Sequence, residues 1–377
     1  MKIGFALLLM IGSLCAAPRA ARACGGGVVT TPAGTATLGA DAQRILISVH
    51  DGKTDVITQI AVPSTSADYG VLIPVPSQPT VDATPVMSAE LDVLFSATTP
   101  QIFARASGDD GGGCGCPVAA GDKGNAGGGA PIDGGVQVSA PVAIGPVTAV
   151  TLTADTGAAI NGWLADNGFA IPAADQSLIN AYAAPGRYFI AIRRNDTAAT
   201  GQATSVGVHF TLAGDERSLP LRFARLGAAQ TVGFTVLVVS DEPSGATAPF
   251  TTLMLSELDA AVVKSSGYAA ALSAAIAREG NHAFVVEGTF SETEFQQSRI
   301  TSLRPFIPPG SMLTRLSTRV PAEALDTDVV FGQLLHGPVP RLIYVMRRGD
   351  APERSPGAAF GVALLAVATI AHRRRQR

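Results

Sequence analysis

Residues 161–195 read NGWLADNGFAIPAADQSLINAYAAPGRYFIAIRRN and hold the only tryptophan of the chain, Trp163. Helix formers fill 158–165, and Ile160, Trp163 and Leu164 fall at the i, i+3, i+4 spacing of one helix face. Asn167-Gly168 ends that helix, because glycine accepts the left-handed backbone that helix ends commonly use. Pro172 restarts the chain, and Asp175 reads as the N-cap of a second helix over 176–183. Pro185-Gly186 is a turn. Residues 188–192 are aromatic and β-branched, which suits a strand. The stretch thus predicts helix, turn, helix, strand, with both helices on the strand and Trp163 between them. Core packing is the plain reading of Trp163; a ligand platform is the sharper one.

On either side the chain is rich in strand signals. Residues 44–50 (RILISVH) and 56–62 (VITQIAV) alternate apolar and polar around Asp51-Gly52, a strong hairpin signal. Residues 69–76 (YGVLIPVP) form an apolar run whose prolines point to a sheet edge or a strand end. Residues 88–96 (SAELDVLFS) predict a short helix capped by Ser88 and broken by Thr98-Thr99-Pro100. Beyond Gly134, strands are predicted over 136–143, 147–153, 205–212, 219–223, 231–239 and 251–256. A small-residue helix spans 258–277, interrupted at Ser265-Ser266-Gly267. Then come a strand at 282–287, a helix at 291–297 capped by Ser291, strands at 312–319 and 328–331, and a last strand at 342–346. The fold class predicted is α+β and β-rich, with antiparallel sheets and a few packed helices.

WLADNGFAIP and LINAYAAPGRYFIAIR resemble a bacterial family of exported proteins of unknown function, the domain-of-unknown-function family 2330. An N-terminal Cys-Gly-Gly after the leader, SLPLRFARLGAAQTVGFTVLVVS and LTRLSTRVPAEALDTDVVF are similar to it as well. The resemblance extends over most of residues 24–345. It implies an exported protein, and it implies no catalytic residues, since the family carries no known activity.

Both ends read as targeting segments. Residues 1–23 form a signal peptide: Lys2 is the basic n-region, 3–14 the apolar h-region, and Ala21-Arg22-Ala23 a small-x-small site that cleaves between Ala23 and Cys24. Lipidation of Cys24 is the alternative, against which stands the missing leucine three positions upstream. After the family-like body at 24–345 and a linker at 346–356, residues 357–377 read as a transmembrane helix with a basic tail, Arg373, Arg374, Arg375 and Arg377. Residues 357–371 are uncharged. As a helix they span about 22 Å, short of the roughly 30 Å hydrocarbon core, so flanking arginines must snorkel or the bilayer thin. The arginines belong on the cytoplasmic side. A short helix and an Arg cluster after a Pro/Gly break also resemble a bacterial C-terminal sorting signal. The body is therefore expected outside the cell membrane, anchored to it or sorted to the surface.

Of 377 residues 47% are hydrophobic and only 15% charged. The formal net charge is −3. Without Lys2, Arg19 and Arg22 of the leader it is −6, and without the four tail arginines −10. An acidic body excludes nucleic acid as a partner, which wants a basic stripe. The expected partners are the membrane, through the C-terminal helix, and an unknown envelope protein or surface ligand.

Residues 108–135 are low-complexity, GDDGGGCGCPVAAGDKGNAGGGAPIDGG, and read as a surface loop; a phosphate loop or a calcium repeat does not fit. Three cysteines, Cys24, Cys114 and Cys116, remain after leader cleavage, and in an oxidising compartment they tend to pair. A bond from Cys24 to Cys114 or Cys116 is the first expectation, and a Cys-Gly-Cys redox or metal site the alternative. There is no G-x-S-x-G elbow and no H-E-x-x-H helix. His50, His209, His282, His336 and His372 show no metal-like spacing, and each reads as an ordinary strand or loop residue. Glu292 and Glu294 lie two apart and do not share a helix face. Asn195-Asp196-Thr197 fits a glycosylation sequon but reads more simply as a turn. With no cofactor motif, the sequence favours a non-enzymatic binding or structural module; the alternative is a thiol-dependent or metal-binding enzyme using Cys114 and Cys116.

Intact mass of the native protein from fractionated cells, with and without thiol alkylation, checks the processing. The expected mass starts at Cys24 and carries one disulfide; a mass retaining residues 1–23 contradicts the leader.

Overall fold

The computed structural model describes residues 28–29, 43–62, 70–105, 135–169, 171–184, 186–195, 204–226 and 231–346. The leader with its Ala23–Cys24 site, Cys114 and Cys116 in the Gly-rich segment, and the tail with Arg373, Arg374, Arg375 and Arg377 lie outside these residues. Among the described residues no helix is long and apolar enough to cross a membrane.

In chain order the strands are β1 (Val28–Val29), β2 (Gln43–His50), β3 (Lys53–Val62), β4 (Gly70–Val75), β5 (Thr80–Val81) and β6 (Gln101–Arg105). They continue as β7 (Val136–Val138), β8 (Val142–Ile144), β9 (Val147–Ala154), β10 (Tyr188–Arg194), β11 (Thr204–Ala213), β12 (Ser218–Leu219) and β13 (Thr231–Ser240). The last are β14 (Ser244–Ala246), β15 (Thr251–Met254), β16 (Ala283–Ser291), β17 (Met312–Pro321), β18 (Val329–Gln333) and β19 (Leu342–Met346). The α-helices are α1 (Ser88–Ala97), α2 (Gly157–Asp166), α3 (Ala173–Tyr182), α4 (Ala260–Ser266) and α5 (Tyr268–Arg278).

The centre is an eight-stranded sheet in the order β15-β16-β17-β13-β2-β3-β11-β5. Its hairpin β2–β3 turns at Asp51 (φ 51) and Gly52 (φ 71), both left-handed, which matches the right-handed twist of the flanking strands. A smaller sheet, β1-β4-β10-β9-β7 with β8 also on β9, packs its face against the β3–β11 end through Ile60, Val208, Phe210, Ile73 and Ile192. The same face of the large sheet continues under α4 and α5, where Val236, Val238, Leu316, Leu272 and Ile276 are buried together. Its opposite face is covered by α1 and two 3-10 turns through Leu46, Leu237, Leu94, Phe295 and Leu303. α2 and α3 cover the outer face of the small sheet on Leu152, Phe189, Ile160, Leu164 and Ile179. Each such fully buried side chain contributes on the order of 1.5–3 kcal/mol.

The sheets are mixed rather than wholly antiparallel. β2–β13, β15–β16 and β6–β19 are parallel pairs. Further local differences have local causes. Ser88 is the first helical residue of α1 and not its cap; Met87 occupies the cap position without a side-chain bond. α3 starts at Ala173 after Pro172, whose fixed φ suits a helix entrance, so Asp175 lies in the first turn. There its charge still favours the helix N-terminus. The strand expected at 219–223 ends at Leu219, because Pro220 leads into a 3-10 turn over Leu221–Arg225 that carries Phe223 into the α3 core. The run 136–143 splits at Pro141 into β7 and β8. Trp163 is half-buried at the side of α2, and the space between α3 and the sheet is filled by Phe223, which meets Tyr182 edge-on at 5.3 Å. Ser291 does cap, through a reciprocal bond with Glu294, but only a 3-10 turn over Glu292–Phe295 follows. Gly267, at φ 87, breaks the small-residue helix as expected.

One buried polar cluster ties α1 to the large sheet. A bulge between Val286 and Gly288 turns Glu287 inward. There it accepts short bonds from Arg315 Nε and the Tyr268 hydroxyl. Arg315 Nη1 also donates to Phe95 O at 2.8 Å and Thr98 Oγ1 at 3.0 Å, so it closes the carbonyl end of α1. Burial, and then the Glu287 charge, push the Tyr268 phenol far above its ordinary range. Arg315→Met leaves Glu287 buried without its cation and should lower stability by about 3–5 kcal/mol in urea unfolding. Arg315→Met combined with Glu287→Leu should regain much of that loss, because neither charge is then buried alone.

Candidate functional site

The outer face of the small sheet carries a groove of about 430 Å³ at the side of α2. Its floor is Val150 and Ala191, opposite one another on β9 and β10, with Thr148 and Arg193 as the next pair along the same face. α2 ends at Asn167, and the chain then turns back so that Phe169 stacks on Trp163 at 6.2 Å and 24°. That pair forms an aromatic wall. Asn167 Nδ2 donates to Trp163 O at 2.8 Å and fixes this corner. At the other end Asn195 donates to Gly145 O at 2.9 Å and accepts a short bond from Thr148. Arg193 is exposed and Arg194 buried, and both line the groove. They also take part in interactions within the chain. The arrangement can hold a ligand with one flat apolar face and an anionic or hydrogen-bonding edge.

A second constellation lies on the covered face of the large sheet. Asp55 on β3 is 1% exposed. His209 Nε2 approaches its Oδ1 at 2.9 Å, Thr211 Oγ1 donates to the same oxygen at 2.6 Å, and His50 Nε2 and Lys53 Nζ each lie 2.9 Å from Oδ2. The two contacts at Oδ2 are at ion-pair distance without the alignment of a hydrogen bond. Each imidazole turns its other nitrogen to a second carboxylate, His50 Nδ1 to Asp51 at 3.2 Å and His209 Nδ1 to Asp82 at 3.3 Å. Phe306 closes over His209 at 4.6 Å. Burial alone would raise the Asp55 carboxyl, but the bonds from His209 and Thr211 and the nearby Lys53 ammonium outweigh it and hold it far below the usual range. For Asp82 too burial acts upward, and the Thr84 amide and His209 bring it down. Because β2, β3 and β11 are adjacent strands, the cluster is a brace across them. Among the described residues no set of three His, Cys, Asp or Glu side chains is placed to hold a metal ion.

A cavity of about 80 Å³ lies between the sheets, with Phe210, Leu212 and Phe234 in its wall. At its edge the Tyr182 hydroxyl donates to Asp328, 2.5 Å from Oδ1 and 2.7 Å from Oδ2, and the Arg222 amide donates to Oδ1 at 3.0 Å. Burial first, then this carboxylate, push the Tyr182 phenol far up. This bond ties α3 to the chain entering β18.

Of the residues singled out by sequence, Cys24, Cys114, Cys116, Ala23 and the tail arginines lie outside the described residues. His50 and His209, expected to be ordinary strand residues, meet on one carboxylate. His282 pairs separately with Asp326 at 2.7 Å, a bond that raises its pKa and lowers that of its partner. Asn195 bonds to the turn between β8 and β9, and Asp196 and Thr197 of the turn expected at 195–197 lie outside the described residues. The signal for the Asp55 cluster was present in the hairpin: Asp55 shares the parity of Ile57, which faces the core. Pro141 and Thr148 of the groove had no signal, since only the fold brings them to 163–195.

A family model described as an uncharacterized protein conserved in bacteria, DUF2330, matches residues 18–243. The match includes the groove and the Asp55 cluster and ends before β14. No curated protein and no solved structure matches the chain.

Asp55→Asn should destabilise the protein by about 3–5 kcal/mol, since two imidazoles and an ammonium lose their buried carboxylate. The pH dependence has a definite sign. A carboxyl whose folded pKa is depressed below 3.8 stabilises at pH above that value and loses its contribution as pH falls through the folded value. Urea unfolding of the parent and Asp55→Asn should therefore differ most at neutral pH and converge in strong acid; a gap independent of pH contradicts the depressed carboxyl.

Proposed function

The chain belongs to the bacterial family DUF2330, and from that premise we propose that it is an exported, membrane-tethered envelope protein that binds a surface ligand or an envelope partner without transforming it. The groove on the outer face of the small sheet is the observation that carries the reading. It has the size of a small-ligand site, an aromatic wall and a few fixed polar groups. The residues around it are held by bonds of their own: Asn167 to the end of α2, Asn195 to Gly145 and Thr148. A site whose walls are already fixed loses little entropy when it binds. The leader and the apolar tail support the localisation: the first sends the body across the membrane, and the second keeps it there with Arg373, Arg374, Arg375 and Arg377 on the cytoplasmic side. In this reading Cys24 and the Cys114–Cys116 segment serve the structure of the exported body.

Because Trp163 is the only tryptophan and lines the groove, its emission reports occupancy directly. Titration of the mature protein with soluble envelope fragments, glycan and peptide pools separately, should give a saturable change in Trp163 emission with one of them. Val150→Phe, which fills the floor, should weaken that response at least tenfold while near-ultraviolet circular dichroism shows a folded chain. No saturable response to any pool would contradict the proposal.

A further inference from the structure

We infer that the groove beside α2 takes a carboxylated sugar, a uronic-acid unit of an acidic glycan; this rests on the binding reading above and names its ligand class. The first observation is electrostatic. The body of the chain is acidic, at −10 without leader and tail, yet among the described residues no Asp or Glu lines this groove and two arginines do. A local reversal of sign in an acidic body selects an anion and repels cationic partners.

The second observation is the shape of the walls. The half-buried Trp163 ring, with the buried Phe169 ring stacked on it, gives an aromatic surface on one side, which suits the apolar C–H face of a pyranose ring. Arg193 stands on the same sheet face as Ala191 and Thr148, across the floor from that surface. A ring stacked on the aromatic wall presents its edge, and so its carboxylate, to the guanidinium. The planar fork of arginine matches a carboxylate in two parallel bonds. Successive strand residues point to opposite faces, so Arg193 stands exposed on the outer face, and Arg194, which also lines the groove, is buried. Arg193 already has an interaction within the chain, so the ligand adds to it or exchanges with it.

The site was hard to find from sequence because neither half is a motif. The aromatic wall comes from the end of α2, and the guanidinium from the far end of β10. Only the packing of α2 across the small sheet places them around one space. Gly157 lets α2 pack closely on α3: a Cβ there would lie 2.5 Å from Asn180 Cα.

The test titrates the mature protein with a uronic-acid trimer, the matching neutral trimer and inorganic phosphate at low ionic strength, reading Trp163 emission and calorimetric heat. The expected result is at least tenfold tighter binding of the acidic trimer than of the neutral one. Arg193→Ala should remove that preference and leave weak binding of both trimers, while Arg193→Lys restores only part of it. Circular dichroism confirms that the variants fold. Equal binding of acidic and neutral trimers, or an unchanged preference in Arg193→Ala, overturns the ligand class and leaves the binding reading standing. Phosphate that binds as well as the acidic trimer and displaces it also overturns it, since the sugar ring then contributes nothing. If none of the three probes binds while a peptide pool perturbs Trp163, the sugar is wrong and the groove is a peptide site. If nothing perturbs Trp163 and no heat is seen, the binding reading falls with it.

Discussion

Burial of the eight-stranded sheet on both faces is the constraint from which the rest follows. β13 is buried along almost its whole length, and β2 nearly so. Such strands have no face free for solvent, and β13 accordingly reads as a nearly continuous apolar run. Everything else is cover. α1 and the 3-10 turns lie on one face, α4 and α5 on half of the other, and the small sheet on the remaining half. Among the described residues the small sheet is itself covered by α2 and α3 over part of its outer face. The part beyond the reach of α2 is where the groove opens.

A sheet dry on both sides makes every polar side chain on it expensive unless it is paired. The chain meets this in two places with extended networks. Glu287 is satisfied by Arg315 and Tyr268, and Arg315 in turn serves the carbonyl end of α1. Asp55 is surrounded by His209, Thr211, His50 and Lys53 on three neighbouring strands. Neither network is a simple source of stability, since desolvation offsets much of the attraction. Both require one particular register: a slip by one residue would bury the charge with no partner.

Local elements were legible in the sequence where short-range chemistry dictates them. Asp51-Gly52 between two alternating runs gave the β2–β3 hairpin, and Gly168 and Gly267 marked helix ends that the backbone confirms. The strand of Tyr188–Arg194 followed from its composition. What was not legible depends on distant pairing. β6 and β19 lie side by side in parallel although more than two hundred residues separate them. His50 and His209 meet because β11 pairs with β3, and no spacing in the chain announces that. Pro220 was the local sign that the strand at 219–223 would stop short. Seven of the ten residues lining the groove lie in the stretch 161–195 that the sequence singled out, and Trp163 packs against the α2–α3 core, as expected, while its half-buried ring also lines the groove.

We propose the part of the small sheet's outer face that no described residue covers as the binding surface of this protein. Amide hydrogen exchange of the mature chain, with and without a saturating acidic trisaccharide, tests it most directly. Added protection is expected at the end of α2 through Phe169, and along β9 and β10 near Thr148 and Arg193, with the large sheet unchanged. Protection confined to other surfaces, or none at all, would contradict it.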